Sequence, residues 1–205
     1  MKNITSLITI AFLIIAMNLV AQKTSTFTDS RDKKTYKTIK IGTQTWMAEN
    51  LAYKAGSGCW TYNDSIKEAT KYGYLYNWKA AVKACPKGWH LPSDGEWATL
   101  TDNLGGTVDA GTKMKTKSGW NDFESKTGNG TNTSGFAALP GGYLSGEDST
   151  NSYVGKGGYW WSASEDAGDN SDNVETYNLY FENGDVEEYN GLSKQDGLSV
   201  RCVKN

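Results

Sequence analysis

The chain has 205 residues, 21 lysines and arginines against 23 aspartates and glutamates, and a formal net charge of −2. Residues 157–193 contain no lysine or arginine but hold Glu165, Asp166, Asp169, Asp172, Glu175, Glu182, Asp185, Glu187 and Glu188, which argues against a nucleic-acid partner. Eight tryptophans, twelve tyrosines and 23 glycines against three prolines predict a largely aromatic core with glycine-rich turns.

At the start, "MKNITSLITIAFLIIAMNLVAQ" places one lysine before an apolar run from Ile4 to Val20, then small Ala21 and a polar stretch. This is expected to be a secretory signal peptide, residues 1–21, cleaved near Ala21. A retained membrane helix is the alternative, the run being close to the shortest that spans a bilayer. No second apolar run follows, and no cysteine closes the first, so neither a membrane span in the mature chain nor a lipid anchor is expected. The protein is then secreted, periplasmic or at the cell surface. A short linker, 22–28, and a single domain, 29–205, complete the expected organisation.

Within the domain, "TYKTIKIGTQTW" predicts a hairpin turning at Gly42. Residues 59–71 read as a loop. In "GYLYNWKAAVKAC", Leu75, Trp78, Val82 and Cys85 are spaced as the apolar stripe of a helix that Pro86 and Gly88 stop. Ser93 and Glu96 in "LPSDGEW" have the spacing of a capping box opening a second helix, whose buried stripe is Trp97, Leu100 and Leu104 and whose end is Gly105-Gly106. Residues 106–158 are rich in glycine, threonine, serine and asparagine, and predict a weakly regular excursion with one or two short strands. "GGYWWSAS" predicts a strand through Tyr159 to Ala163. Asn183-Gly184 between two alternating runs predicts a hairpin. "LSVRCV" predicts a last strand with Val200 and Cys202 on one face and Arg201 on the other. Two helices followed by an aromatic, mainly antiparallel sheet indicate an α+β fold.

The chemistry-bearing residues are few. Cys59, Cys85 and Cys202 allow three disulfide pairings with one thiol left over. A single histidine and no close cysteine pair exclude a zinc centre or a C-x-x-C redox site. His90 lies near Cys85, Ser93, Asp94 and Glu96, but Pro86 follows the cysteine, capping occupies the serine, and no oxyanion loop is evident. The neighbouring carboxylates Glu187 and Asp185, or Glu165 and Asp166, are not a glycosidase pair merely by adjacency. No enzyme activity and no cofactor are therefore expected, apart from calcium in the oxygen-rich "SEDAGDNSDN" loop, with Asp166, Asp169 and Asp172 as ligands. Trp60, Tyr62, Trp120, Tyr143, Tyr153, Tyr159 and Trp160 lie in or beside loops where rings can stack on sugars, and Trp120, Tyr143, Tyr159, Trp160 and Trp161 are the candidate ligand-binding residues. Within a strand, adjacent Trp160 and Trp161 must face opposite ways, and one of them is expected at the surface.

Four blocks, "IGTQTWMAENL", "YGYLYNWKAAVKACPKGWHLPSDGEWATL", "GYWWSAS" and "SVRCVK", resemble in order the signature of the Fibrobacter succinogenes major paralogous domain, a bacterial secreted or surface module. A helix ending in cysteine, a second helix opened by "GWHLPSDGEW" and a cysteine in the last strand are more distantly similar to the C-type-lectin-like and formylglycine-generating-enzyme fold. That similarity implies a Cys85–Cys202 disulfide and leaves Cys59 a free or intermolecular thiol. Neither the Glu-Pro-Asn or Gln-Pro-Asp calcium–sugar triplet nor the active cysteine pair of those families is present. The expected function is a non-catalytic binding module for a glycan or another extracellular macromolecule, its ligand-facing side within 106–173. A structural or adhesin component with protein partners only is the alternative, and an enzyme the third possibility.

Overall fold

The computed structural model of the chain describes residues 24–165 and 174–205. The expected signal peptide lies outside them. Of the segment expected as a linker, Thr24–Thr28 is instead a strand, β1, running antiparallel to β2 (Thr35–Ile41). Three threonines in five residues favour that extended state, the branched side chain fitting a pleated surface. The expected hairpin follows: β2 turns at Gly42, whose φ of +58° suits glycine, into β3 (Gln44–Met47). Along β2, Tyr36, Thr38, Ile39 and Ile41 are buried while Lys37 and Lys40 face solvent.

The next stretch departs from the expected loop. It contains β4 (Cys59–Trp60), a 3₁₀ turn at Tyr62–Asp64 and a helix, α1 (Ile66–Tyr72), whose N-cap Ser65 accepts from the Glu68 amide. Only Ala69 and Tyr72 of α1 are buried, too sparse a stripe to read from periodicity. After β5 (Leu75–Tyr76) comes α2 (Trp78–Ala84), capped by Asn77, whose side chain accepts from the Ala80 amide. The buried positions of α2 are Ala81 and Ala84, whereas Val82 is exposed and Leu75 sits in β5, so the stripe is one of small residues. Then follow β6 (Trp89–His90), α3 (Asp94–Asn103) and α4 (Thr107–Met114). The capping box at the head of α3 forms, the Glu96 carboxylate accepting from both the amide and the hydroxyl of Ser93. Trp97, Leu100 and Leu104 are buried as expected. Helix α4, unforeseen in a glycine- and threonine-rich segment, buries Ala110, Gly111 and Met114.

The remaining strands are β7 (Gly141–Leu144), β8 (Asn151–Val154), β9 (Gly157–Glu165), β10 (Val174–Tyr180), β11 (Glu187–Tyr189), β12 (Leu198–Ser199) and β13 (Val203–Lys204). One sheet has the order β1-β2-β3-β13-β6; a larger one runs β11-β10-β9-β12-β5-β4, with β7 joined to β9 and β8 to β7. The β10–β11 hairpin is wider than a two-residue turn, its last register pair being Asn178 with Glu187. Helix α4 explains the width: the Val186 amide donates to the Thr107 carbonyl, the Thr112 amide to Gly184, and Val186 is buried. The architecture is α+β, with four α-helices rather than two among the described residues.

Two aromatic cores flank the larger sheet. Trp160 packs with Trp46, Trp97, Phe136 and Tyr177 on one side, and Trp161 with Tyr36, Tyr76, Trp89 and Leu198 on the other. Trp97 stacks on Tyr177 at 4.9 Å between centroids and tilts against Trp46 at 5.0 Å. The segment 198–204 belongs to both sheets, leaving the larger one after β12 and entering the smaller at β13. At the crossing, Val200 and Cys202 accept from the Leu51 and Met47 amides. Cys202 also bonds Cys85 at the C-terminal cap of α2, closing a loop with a sequence separation of 117 residues. Chain entropy alone assigns such a loop roughly 4–5 kcal/mol as an upper figure.

Arg201 lies between these two residues and is fully buried, not solvent-facing. Its guanidinium donates to Asn50 Oδ1 at 2.6 and 3.1 Å, to the Met47 carbonyl at 3.2 Å and to the Phe136 carbonyl, and lies 4.2 Å from the Phe136 ring. Asn50 serves as a hub, its Oδ1 also accepting from Trp160 Nε1 while its Nδ2 donates to Tyr72 and Ser199. The opposite face of this strand is thus a second interior, where the arginine's donors meet neutral oxygens. Among the described residues no helix is long and apolar enough to cross a membrane.

Candidate functional site

The strands β7 to β10 gather tyrosines on one side. Close approach of backbones makes this arrangement: a Cβ on Gly158 would lie 2.3 Å from the Trp160 ring and 2.8 Å from the Leu139 carbonyl, so glycine is required where β7 pairs with β9. Tyr143 then meets Tyr159 edge-on at 5.1 Å and lies over Tyr153 at 6.0 Å with 29° between planes. Tyr153 and Tyr180 each meet Tyr159 edge-on, at 6.0 and 5.7 Å. Burial raises the pKa of Tyr143, Tyr159 and Tyr180 above the ordinary phenol value, so all three stay neutral at physiological pH.

Tyr153 is the outward member of the group. It is 49% exposed and its φ is +63°, a left-handed conformation in which a Cβ-bearing aromatic residue is strained. With Ser152, Lys156, Phe181 and Glu182 it lines a shallow pocket of about 380 Å³. This combination offers a flat apolar ring beside a hydroxyl, an ammonium and a carboxylate. Such a surface can stack on a ligand ring and bond its polar edges. The chain on either side of Phe181 and Glu182 is held by buried Lys115, whose Nζ donates to the carbonyls of Tyr180 at 3.1 Å and Asn183 at 2.6 Å. Burial pushes the Lys115 pKa down to about 8, with nearby Asp185 opposing the shift.

The sequence-predicted ligand rings fall on both sides of this boundary. Tyr143 is half-buried within the cluster, and Tyr159 forms its buried centre. Trp120, Trp160 and Trp161 are interior, at 4%, 1% and 0% exposure, which corrects their placement on a ligand-facing surface. Their indole N–H groups explain why burial is tolerated: they donate to Ala138 O, Asn50 Oδ1 and Tyr76 O respectively. Trp160 and Trp161 do face opposite ways, but both sides are core. Tyr153, one of the loop-borne rings read from the sequence, is the exposed one of the cluster, whereas Lys156 and Glu182 were not foreseen. The fold adds to that reading the positive φ of Tyr153 and its ring neighbours from β7 and β9.

The expected calcium ligands Asp166, Asp169 and Asp172 lie outside the described residues. Among the described residues no cluster of three or more histidine, cysteine or acidic side chains could hold a metal. Cys59 is the free cysteine, half-buried, its thiol pKa pushed up to about 11 by burial. His90 is held between Glu96 Oε1 and Asn205 Oδ1, both at 2.7 Å, and the Ser93 hydroxyl bonds Glu96 rather than the imidazole. Burial works to raise the Glu96 pKa, but the bonds from Ser93 and His90 outweigh it and hold the carboxyl below its ordinary value. The polar residues around His90 thus anchor the head of α3 to β6.

These features define an α+β domain in which two aromatic interiors support a tyrosine-lined surface. The model of the Fibrobacter succinogenes major domain matches residues 39–204, and the chain belongs to that family. No curated protein and no solved structure matches the chain.

Proposed function

We propose that the protein is a non-catalytic binding module, exported to the periplasm, the cell surface or the medium, which holds a glycan on its tyrosine face. The carrying observation is Tyr153, half-exposed on a left-handed backbone and overlying Tyr143, at the edge of a pocket shared with Lys156 and Glu182. Sugar rings present an apolar face to a ring of this kind and hydroxyls to the flanking charges. The disulfide agrees with an oxidising compartment. It links the end of a helix to the final strand segment, the pairing implied by a C-type-lectin-like fold, which is the finer architecture we assign.

The test is retention of the purified protein on a panel of soluble and insoluble polysaccharides, with calcium and then with EDTA. Tyr153→Ala is expected to keep the wild-type circular dichroism and to lose retention about five- to tenfold, the scale of one lost aromatic stacking contact of about 1–1.5 kcal/mol. Retention that survives EDTA would remove calcium from the reading. No retention on any polysaccharide, or full retention by the Tyr153 variant, would move the search to protein partners and the adhesin alternative.

A further inference from the structure

A second cavity, of about 460 Å³, shares no lining residue with the tyrosine-side pocket. It opens between β2, the chain after β3, the end of α1 and the loop 132–139. Its size lies within the range of small-ligand sites. Three lysines, Lys34, Lys37 and Lys71, line it against one acid, Glu49. None of the three is in an ion pair among the described residues, and Lys34 and Lys71 lie over the Tyr36 and Tyr72 rings at 5.3 and 4.5 Å. Around them stand Thr38, Thr70, Thr116 and Asn132; the Thr70 and Thr116 hydroxyls donate to backbone carbonyls and can still accept, and Asn132, whose Oδ1 accepts from Ala137, still has its Nδ2 to donate.

The wall and floor strengthen the positive field. Asn50 belongs to the lining, and beneath it the Arg201 guanidinium hydrogen-bonds only to neutral oxygens, Glu49 of the lining being the carboxylate that acts on it through space. A charge so placed, under a low-dielectric floor, acts on whatever occupies the cavity above. The wall is also preset. Asn132 and Ala137 both line the cavity with positive φ, +48° and +54°, and the Asn132 side chain accepts from the Ala137 amide at 2.9 Å. Arg201 holds this loop through the Phe136 carbonyl. Strained backbone of this kind persists where surrounding bonds over-determine it, and it concentrates at ligand sites.

We infer that this cleft binds a sugar carrying an oxyanion, a sugar acid or a sugar phosphate, with the lysines on the charge and the threonines and Asn132 on the hydroxyls. No aromatic ring lines the cleft, so recognition there is by charge and hydrogen bonding rather than stacking. The cleft stands independently of the tyrosine face.

The experiment is titration calorimetry of the full-length protein with glucuronate, glucose 6-phosphate, glucose and inorganic phosphate, at low and at physiological salt. Glucuronate or glucose 6-phosphate is expected to bind, the preferred one identifying the anion as carboxylate or phosphate; binding weakens with salt, and glucose is silent. Lys37→Gln with Lys71→Gln, both exposed positions, is expected to reduce the affinity about tenfold or more with an unchanged melting temperature. Lys37→Gln alone, expected to give about a threefold loss, serves if the double variant is unstable. Tyr153→Ala is expected to leave this binding intact while removing polysaccharide retention, which separates the two sites. The inference is overturned if neither sugar anion binds, if glucose or inorganic phosphate binds as tightly as the sugar anions, or if the lysine variants bind like wild type.

Discussion

Arg201 and Lys115 are both buried cations, and each braces backbone beside a pocket, but they do so by different chemistry. Arg201 spreads its fork over Asn50 Oδ1 and the carbonyls of Met47 and Phe136, joining two sheets to the 132–139 loop. Lys115 is a single ammonium between the carbonyls of Tyr180 and Asn183, which flank Phe181 and Glu182 of the tyrosine-side pocket. Burial pushes the arginine down only to about 9, so its charge is permanent at neutral pH, whereas Lys115 at about 8 titrates close to physiological conditions. A planar group with five donors suits a junction of several chains; a compact, titratable one suits a single loop.

Removing the guanidinium gives the largest expected effect. Arg201→Met, which keeps length without charge, should destabilise the fold by about 3–5 kcal/mol in urea unfolding, because Asn50 and two carbonyls lose their donor in the interior. Arg201→Lys should recover only part of that loss, since one ammonium cannot replace the fork. A loss below about 1 kcal/mol for Arg201→Met would mean that the junction is held by the sheets alone.

Lys115→Met is expected to lose less, about 1–3 kcal/mol, and its effect should depend on pH. The folded pKa is lowered to about 8 from 10.5, so between these values the unfolded chain binds more protons than the folded one. Wild-type stability therefore gains on the Met variant as pH rises from 8 to 10.5, once the amine sheds its buried charge. Cys59, raised to about 11 from 9, acts in the opposite sense over pH 9 to 11, but it is present in both proteins and cancels in the difference. The difference in melting temperature at pH 7 and pH 9.5 is the readout; a constant difference would refute the assignment. The smallest expected effect is a gain: Ala137→Gly should stabilise by roughly 0.5–1 kcal/mol by relieving the positive φ, and part of that gain should vanish in Arg201→Met if the arginine is what imposes the conformation.

Local signals in the sequence survived folding where they depended on neighbours in the chain. The Gly42 turn and the Ser93–Glu96 box need only a few residues each, and both form. The Cys85–Cys202 bond was legible through the family resemblance. Sequence failed where tertiary partners decide. Helix α4 carries Gly111 and two threonines, poor helix formers, and its place is fixed by bonds to the β10–β11 hairpin. Arg201 alternated as a solvent-facing residue should, yet a second interior lay on that side. Trp160 and Trp161 obeyed the two-residue period, but the period does not say whether either face meets water. The tyrosine site was half visible: Tyr143, Tyr153 and Tyr159 were among the candidate rings, while Lys156 and Glu182 joined them only through the fold.

The segment 198–204 pairs with β5, β9, β3 and β6, every one of which precedes it in the chain. A polypeptide emerging from its N-terminus can collapse around its tryptophans, but it has no way to close either sheet until this segment arrives. The bond from Cys85 has no partner sulfur before then, and Asn50 awaits its guanidinium. The segment is thus a keystone, and loss of these seven residues should leave collapsed chains without a native junction.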